Sequence, residues 1–125
     1  MLLSVSLLAP SPVLACKCKK LSSNEGIYRR ASLIVVARVV SLQPDRTGNA
    51  QVATLEVEQS WKGDAPKQMV VVTGDSCFYP FVVGRKDLLF LEKLEDSYAT
   101  DRCGGNREAS QAATVIQWLD RRKLR

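Results

Sequence analysis

The chain has 125 residues, with 18 lysines and arginines, 13 aspartates and glutamates, four cysteines and no histidine. This length suits one domain with a core of modest size, and such domains often depend on disulfides. The absence of histidine removes the side chain that most often serves as a base at neutral pH. Because the sequence also lacks an evident pairing of a nucleophile with a base, we expect a protein that is not an enzyme and uses no cofactor.

The first 15 residues, MLLSVSLLAPSPVLA, carry no charged side chain. A short apolar core, a proline-containing stretch and a final small residue, Ala15, are typical of a signal peptide with its cleavage site. The segment is too short to cross a bilayer as a helix, and no later stretch is long enough. We therefore predict a signal peptide at residues 1–15, one domain at 16–125, and a secreted or periplasmic product. An ordinary N-terminal segment and lipidation of Cys16 remain as alternatives.

The four cysteines are Cys16, Cys18, Cys77 and Cys103. An even number in an exported chain favours two disulfides. A bridge between Cys16 and Cys18 would be strained, because one residue separates them. Two pairings remain open, and each ties the Cys-Lys-Cys segment to two distant parts of the chain. The rival interpretation is a zinc or copper site of four thiolates, but structural zinc usually requires cysteine pairs two to four residues apart.

The body of the chain predicts five short strands. Apolar runs and alternating patterns, separated by turn signals, mark the strands at residues 33–42, 52–58, 69–72, 88–91 and 98–100. In the second of them, Ala53 and Leu55 face one side while Glu56 and Glu58 face the other, which is typical of a half-solvated antiparallel strand.

Helices are predicted near both ends of the strand region. Ala109, Ala112, Ala113, Ile116 and Leu119 fall near helical spacing, so residues 107–123 are predicted to form an amphipathic helix that packs on the sheet. A short helix ending at residue 30 is predicted to begin with a capping pair at positions 22 and 25. Five strands with flanking helices predict a mainly β fold, a Greek-key barrel of the OB type.

Several segments together match one known module. In order they are Cys16-x-Cys18, Ala31 with the strand at 35–39, Trp61-Lys62-Gly63, Ser76-Cys77-Phe78-Tyr79, the run at 87–94, and Cys103 before a C-terminal helix. On these segments, nearly all of residues 16–125 resembles the netrin-like module, and within it the N-terminal domain of the tissue inhibitors of metalloproteinases. The resemblance implies a five-stranded OB-like barrel with flanking helices. It also implies the disulfides Cys16–Cys77 and Cys18–Cys103.

The same resemblance implies a function. In that family, the α-amine and carbonyl oxygen of the first cysteine chelate the catalytic zinc of a protease. The zinc-chelating main chain would here belong to Cys16, and the protein would bind no metal of its own. The implied partner is a zinc metalloprotease, and the residues implied to contact it are Lys17, Cys18, Lys19, Asp75, Ser76, Cys77 and Phe78.

Two further hypotheses remain open. Lys17 stands where the family has a small threonine or serine, which favours a netrin-like extracytoplasmic interaction module without protease inhibition. The net charge of +5 raises the third hypothesis, which is binding of a nucleic acid or another polyanion. Because stacking aromatic residues are scarce, we expect no nucleic-acid partner and at most weak polyanion binding. The cluster Arg121, Arg122, Lys123 and Arg125 is interpreted as a helix end rather than a partner site.

Overall fold

The computed structural model describes Cys18 and residues 23–74 and 77–123. Its helices and strands follow the predicted order. They are, along the chain, α1 Asn24–Arg30, β1 Leu33–Pro44, β2 Ala50–Lys62, β3 Gln68–Gly74, β4 Lys86–Lys93, β5 Tyr98–Ala99, β6 Arg107–Glu108, a 3₁₀ turn at Ala109–Gln111, and α2 Ala113–Lys123.

Five strands close into a barrel in the order β1, β2, β3, β5, β4 and back to β1. The β3–β5 pair is parallel, whereas β1–β2, β2–β3, β4–β5 and β1–β4 are antiparallel. Closure depends on β1, which pairs with β4 through Leu33–Arg38 and with β2 through the register from Ile34 to Pro44. Register shifts along the β1–β2 pair bend the strands as closure requires. The predicted OB-like barrel with a C-terminal helix is therefore confirmed.

Two apolar layers explain why β1 and β2 have different sequence patterns. One layer fills the barrel interior and includes Val35, Leu55 and Leu89. The other lies between the outside of the barrel and the helices, and it includes Ile34 and Leu119. Both faces of β1 are thus covered, so its first five residues are all buried. The outer face of β2 meets solvent except at Trp61, which packs in the outer layer, and this exposure is why the strand alternates.

The C-terminal helix begins later than residue 107, so that prediction is wrong for its first turns. Arg107 and Glu108 form β6 against β4, and the α-helix starts at Ala113 after a 3₁₀ turn. The cause lies in the preceding residue: the Asn106 side chain accepts a hydrogen bond from the Phe90 N–H at 2.7 Å and donates to the Thr100 hydroxyl at 2.6 Å. These bonds hold the segment extended along the barrel edge.

The start of α1 also differs from the prediction. The N-cap is Ser23, whose hydroxyl accepts a hydrogen bond from the Gly26 N–H at 3.3 Å. Ser22, the predicted cap, lies outside the described residues. The Glu25 carboxylate forms ion pairs with Arg29 and Arg122. The end of the helix at Arg30 is as predicted.

Candidate functional site

A disulfide ties the N-terminal segment to the loop after β5. Cys18 and Cys103 are bonded, with 5.2 Å between their α carbons and 85 residues between them in sequence. The Cys103 N–H donates to the Asp101 carboxylate at 2.8 Å, which fixes the loop on the other side of the bridge. The structure thus contains the Cys18–Cys103 pair that the resemblance implies. Such a bridge is typical of a protein from an oxidising compartment.

The loop after β3 lies beside this bridge. The Arg102 N–H donates to the Cys77 carbonyl at 2.7 Å. The residue before Cys103 is therefore hydrogen-bonded to the loop that carries Cys77. The Arg102 guanidinium also lies over the Phe78 ring, 5.5 Å from its centroid. Phe78 is 39% exposed, so it is not a core residue. We call Cys18, Cys77–Phe78 and 101–103 the disulfide rim.

Tyr79 fixes the base of this rim to the barrel. Its N–H donates to the buried hydroxyl of Thr73 at 2.7 Å, and its own hydroxyl donates to the Asp87 carboxylate at 2.8 Å. Its ring packs edge-on against Phe81, with 5.0 Å between centroids. Because Tyr79 follows Phe78 directly in sequence, these contacts fix where the exposed Phe78 side chain leaves the barrel.

Asp87 is the fully buried acceptor at the centre of this support. Arg85 binds both of its carboxylate oxygens, at 2.7 and 3.0 Å, and also donates to the Pro80 carbonyl. Burial, together with the hydrogen bond to Asp87, raises the pKa of Tyr79 well above its ordinary value. The same carboxylate raises the pKa of Arg85. All partners of Asp87 are therefore donors, which is what a buried carboxylate requires.

A cleft of about 320 Å³ lies on the other side of the disulfide, between α1 and the β4–β5 edge, and Cys103 and Thr100 line it. The Thr100 hydroxyl donates to the Phe90 carbonyl at 3.2 Å and accepts from Asn106. Both of its hydrogen-bonding roles are therefore structural, and the cysteine sulfur is in a disulfide. Neither the Thr100 hydroxyl nor the Cys103 sulfur is therefore available as a nucleophile in this cleft.

The structure brings together three of the residues implied to contact a protease: Cys18, Cys77 and Phe78. The other members of that set, Lys17, Lys19, Asp75 and Ser76, and the implied zinc-chelating residue Cys16 lie outside the described residues. Cys77 is itself disulfide-bonded, and its implied pairing with Cys16 therefore involves a residue that is not described.

Sequence reasoning missed the residues that hold the rim in place. Arg102 and Tyr79 act through contacts with residues that are distant in sequence, and no local pattern reveals such contacts. For Arg85 and Asp87 the sequence did carry a signal. These two residues have opposite charges, stand two positions apart at the start of an apolar strand, and therefore lie on the same face. An aspartate inside such a run is rarely buried without a cationic partner.

The thiolate metal site considered above does not form at these positions. Cys18 and Cys103 are bonded to each other, so their sulfurs are not available as thiolate ligands. Across residues 23–74 and 77–123, with Cys18, no three of the Cys, Asp and Glu side chains cluster closely enough to hold a metal ion. Among the helices described, none is long and apolar enough to cross a bilayer.

No family model matches this chain. A search of curated proteins finds no match either. The resemblance to the tissue inhibitors of metalloproteinases therefore rests on the segments quoted above, and the fold stands on the barrel topology. The disulfide rim is the surface on which that resemblance can be tested.

Proposed function

We propose that this chain is an exported, metalloproteinase-inhibitor-like protein that binds the catalytic zinc of a target protease through the main chain of Cys16. The observation that supports the proposal is the junction within the disulfide rim. Cys18 is bonded to Cys103, and the neighbouring Arg102 is hydrogen-bonded to Cys77. The two segments that the resemblance assigns to protease contact therefore adjoin each other through a covalent bond and one backbone hydrogen bond.

The chemistry of chelation needs a free amine close to a rigid support. Removal of residues 1–15 would give Cys16 a free α-amine with a pKa near 8, so a neutral, metal-binding form is accessible around neutral pH. Catalytic zinc keeps one position open for such a ligand. Cys16 precedes the bridged Cys18 by two residues. A rim already held by the disulfide and by Tyr79 loses little conformational entropy on binding, which favours affinity.

Phe78 supplies the second element of the proposed contact. It is the exposed aromatic residue of the rim, and the stacked Arg102 guanidinium limits its movement. An aromatic side chain held in this way is typical of the residues that dominate binding energy in protein interfaces. We therefore assign Phe78 to an apolar contact with the protease beside its zinc.

The test is inhibition by the exported product of the full sequence, including its leader. Mass spectrometry reports the N-terminus and the disulfides, and a fluorogenic peptide assay against a panel of zinc metalloproteases measures inhibition. We expect a product that begins at Cys16 and inhibits at least one protease, with inhibition lost after acetylation of the amine. Phe78→Ala should weaken inhibition about tenfold, while Val70→Ala, an exposed residue on β3, should have little effect. Full inhibition by the acetylated protein would contradict the proposal.

The second candidate function is a netrin-like extracytoplasmic interaction module that inhibits no protease. Lys17 favours it, because placing an ammonium group in an apolar pocket without a partner is costly. The variant Lys17→Thr separates the two functions. If the native protein fails to inhibit and Lys17→Thr inhibits, the rim is competent and Lys17 alone prevents binding. If neither inhibits, the interaction-module function holds.

A further inference from the structure

The last turns of the two helices meet at one surface, although they are far apart in sequence. The last turn of α1 carries Arg29 and Arg30, and that of α2 carries Arg121, Arg122 and Lys123. Arg122 joins them, because its guanidinium forms an ion pair with Glu25 at the start of α1 and stacks 4.2 Å from the centroid of the α1 residue Tyr28. What looks like two separate helix ends in the sequence is therefore one continuous surface.

The end of β2 adds a further cation between the helices. The Lys62 ammonium donates to the Tyr28 carbonyl at 2.7 Å and lies 4.8 Å from the centroid of the Tyr28 ring. Lys62 and Arg122 thus both contact the same aromatic ring. The Lys123 ammonium donates to the Ser60 carbonyl on β2 at 3.0 Å. We call the surface formed by Arg29, Arg30, Lys62, Arg121, Arg122 and Lys123 the basic helix face.

The charge of this face is only partly neutralised. The carboxylates bonded within it are Glu25, shared between Arg29 and Arg122, and Asp120, which accepts the Trp61 indole N–H at 2.8 Å. Elsewhere the basic side chains are matched more closely. Arg85 is paired with the buried Asp87, and the Arg38 and Lys86 side chains both reach Glu58. Among the described residues, the six cations of this face stand beside two carboxylates, whereas the other eight lysines and arginines stand among ten aspartates and glutamates.

The chemistry of the face narrows the kind of polyanion that would bind it. A membrane surface calls for apolar side chains beside the cations, but the exposed large apolar residues of the described chain are Val40, Val70, Phe78, Val82, Val83 and Leu94, none of which belongs to α1 or α2. Single-stranded nucleic acid calls for open aromatic rings. Here Tyr28 packs edge-on against Trp118 and is covered by Lys62 and Arg122.

We propose that the basic helix face binds an acidic polysaccharide, through anionic groups spaced along a hydrophilic chain. The exposed guanidinium groups of Arg30 and Arg121 supply the contacts, since a guanidinium pairs with a sulfate or carboxylate through two parallel hydrogen bonds. The half-buried Arg122 joins α2 to α1, and the half-buried Lys62 joins β2 to α1. Arg30 also lines the cleft that Asp101 and Cys103 border, but the proposed binding does not depend on protease inhibition.

The experiment measures fluorescence anisotropy of labelled dextran sulfate, carboxymethyl dextran and neutral dextran with the full-length exported protein. We expect binding to one or both charged chains at about 50 mM salt, at least about tenfold weaker binding at about 200 mM, and none to neutral dextran. The double variant Arg30→Gln with Arg121→Gln should weaken binding about tenfold or more. The control Arg46→Gln with Lys67→Gln removes the same charge from exposed sites in strand-connecting loops and should change binding by about twofold or less.

Several outcomes would overturn the proposal. They are no binding to either charged chain at low salt, equal losses in the two double variants, and tighter binding to a labelled oligothymidine or to anionic phospholipid vesicles than to the charged dextrans. Thermal unfolding of each variant checks that the fold is kept. If the double variant is unfolded, Arg121→Gln alone is compared with Arg46→Gln, and the same ranking is required. The comparison of the two charged dextrans identifies which anionic group the face prefers.

Discussion

The disulfide rim and the basic helix face are held together by different kinds of interaction. The rim depends on a covalent bridge and on backbone hydrogen bonds, of which the bond from the Arg102 N–H to the Cys77 carbonyl is the central one. The helix face depends on charged side chains, with Arg122 and Lys62 placed on the same Tyr28 ring. The geometry of the rim is therefore expected to respond to reduction, and that of the helix face to salt.

The largest effect is expected from removing the bridge. Replacing Cys18 and Cys103 with serine deletes a crosslink between residues 85 apart, and the chain-entropy model assigns such a link about 4 kcal/mol of unfolding free energy. Urea unfolding of the native protein and the double variant measures the loss. An unchanged midpoint with an unchanged slope would contradict it. The rim should lose any protease binding, while dextran sulfate binding by molecules that remain folded should persist.

The second prediction concerns the buried support of the rim. Asp87→Ala leaves the buried Tyr79 hydroxyl and the Arg85 guanidinium, whose side chain is 25% exposed, without this acceptor, which should cost about 3 kcal/mol. Glu58→Ala is the matched control, because Glu58 also has two side-chain partners, Arg38 and Lys86, but is 39% exposed, and its loss should cost less than about 1 kcal/mol. Urea unfolding in the same buffer compares them. Equal costs would show that burial does not set the difference.

The third prediction moves to the helix face. Arg122→Gln removes the ion pair with Glu25 and the stacking on Tyr28, and it should cost about 1 kcal/mol at low salt. At about 1 M salt the cost should shrink, because both partners are partly exposed and their attraction is screened. The cost of Asp87→Ala should hardly change with salt. A salt-independent loss for Arg122→Gln would show that the helix face is held by packing rather than by charge.

The barrel was predictable from the sequence because its strands carry strong local signals. The apolar run at the start of β1 and the alternation of β2 follow from what covers each face of these strands. Helix boundaries were less predictable. Ala109 and Ala112 have helical spacing, but Asn106 binds Phe90 and Thr100 and keeps the segment extended before α2 begins. A periodic pattern carries no information about such long-range bonds.

The two surfaces differ in how much of them a sequence can reveal. The cysteine spacing left two pairings open, and the resemblance then implied the Cys18–Cys103 bridge of the disulfide rim. In the sequence, the helix residues of the basic helix face form two short basic runs far apart from each other. Neither run indicates that Arg122 contacts Glu25, 97 residues away. Periodicity assigns the faces of one helix, whereas the meeting of two helix ends is decided by the layer that both pack against.

The last prediction concerns alkaline pH, where the contribution of Tyr79 to stability begins to fall. Burial and the hydrogen bond to Asp87 raise the pKa of Tyr79, so the folded state keeps this proton at a pH where an unfolded tyrosine, with a pKa near 10, has lost it. The contribution of Tyr79 is therefore complete below about pH 10 and declines as the pH rises further. Tyr79→Phe should remove this slope from urea unfolding measured between pH 8 and 11. The variant should leave the tyrosinate absorbance change of the folded protein near pH 10 unaltered, since Tyr79 does not ionise there. A smaller change in the variant would mean that Tyr79 titrates normally and that the rim lacks its buried anchor.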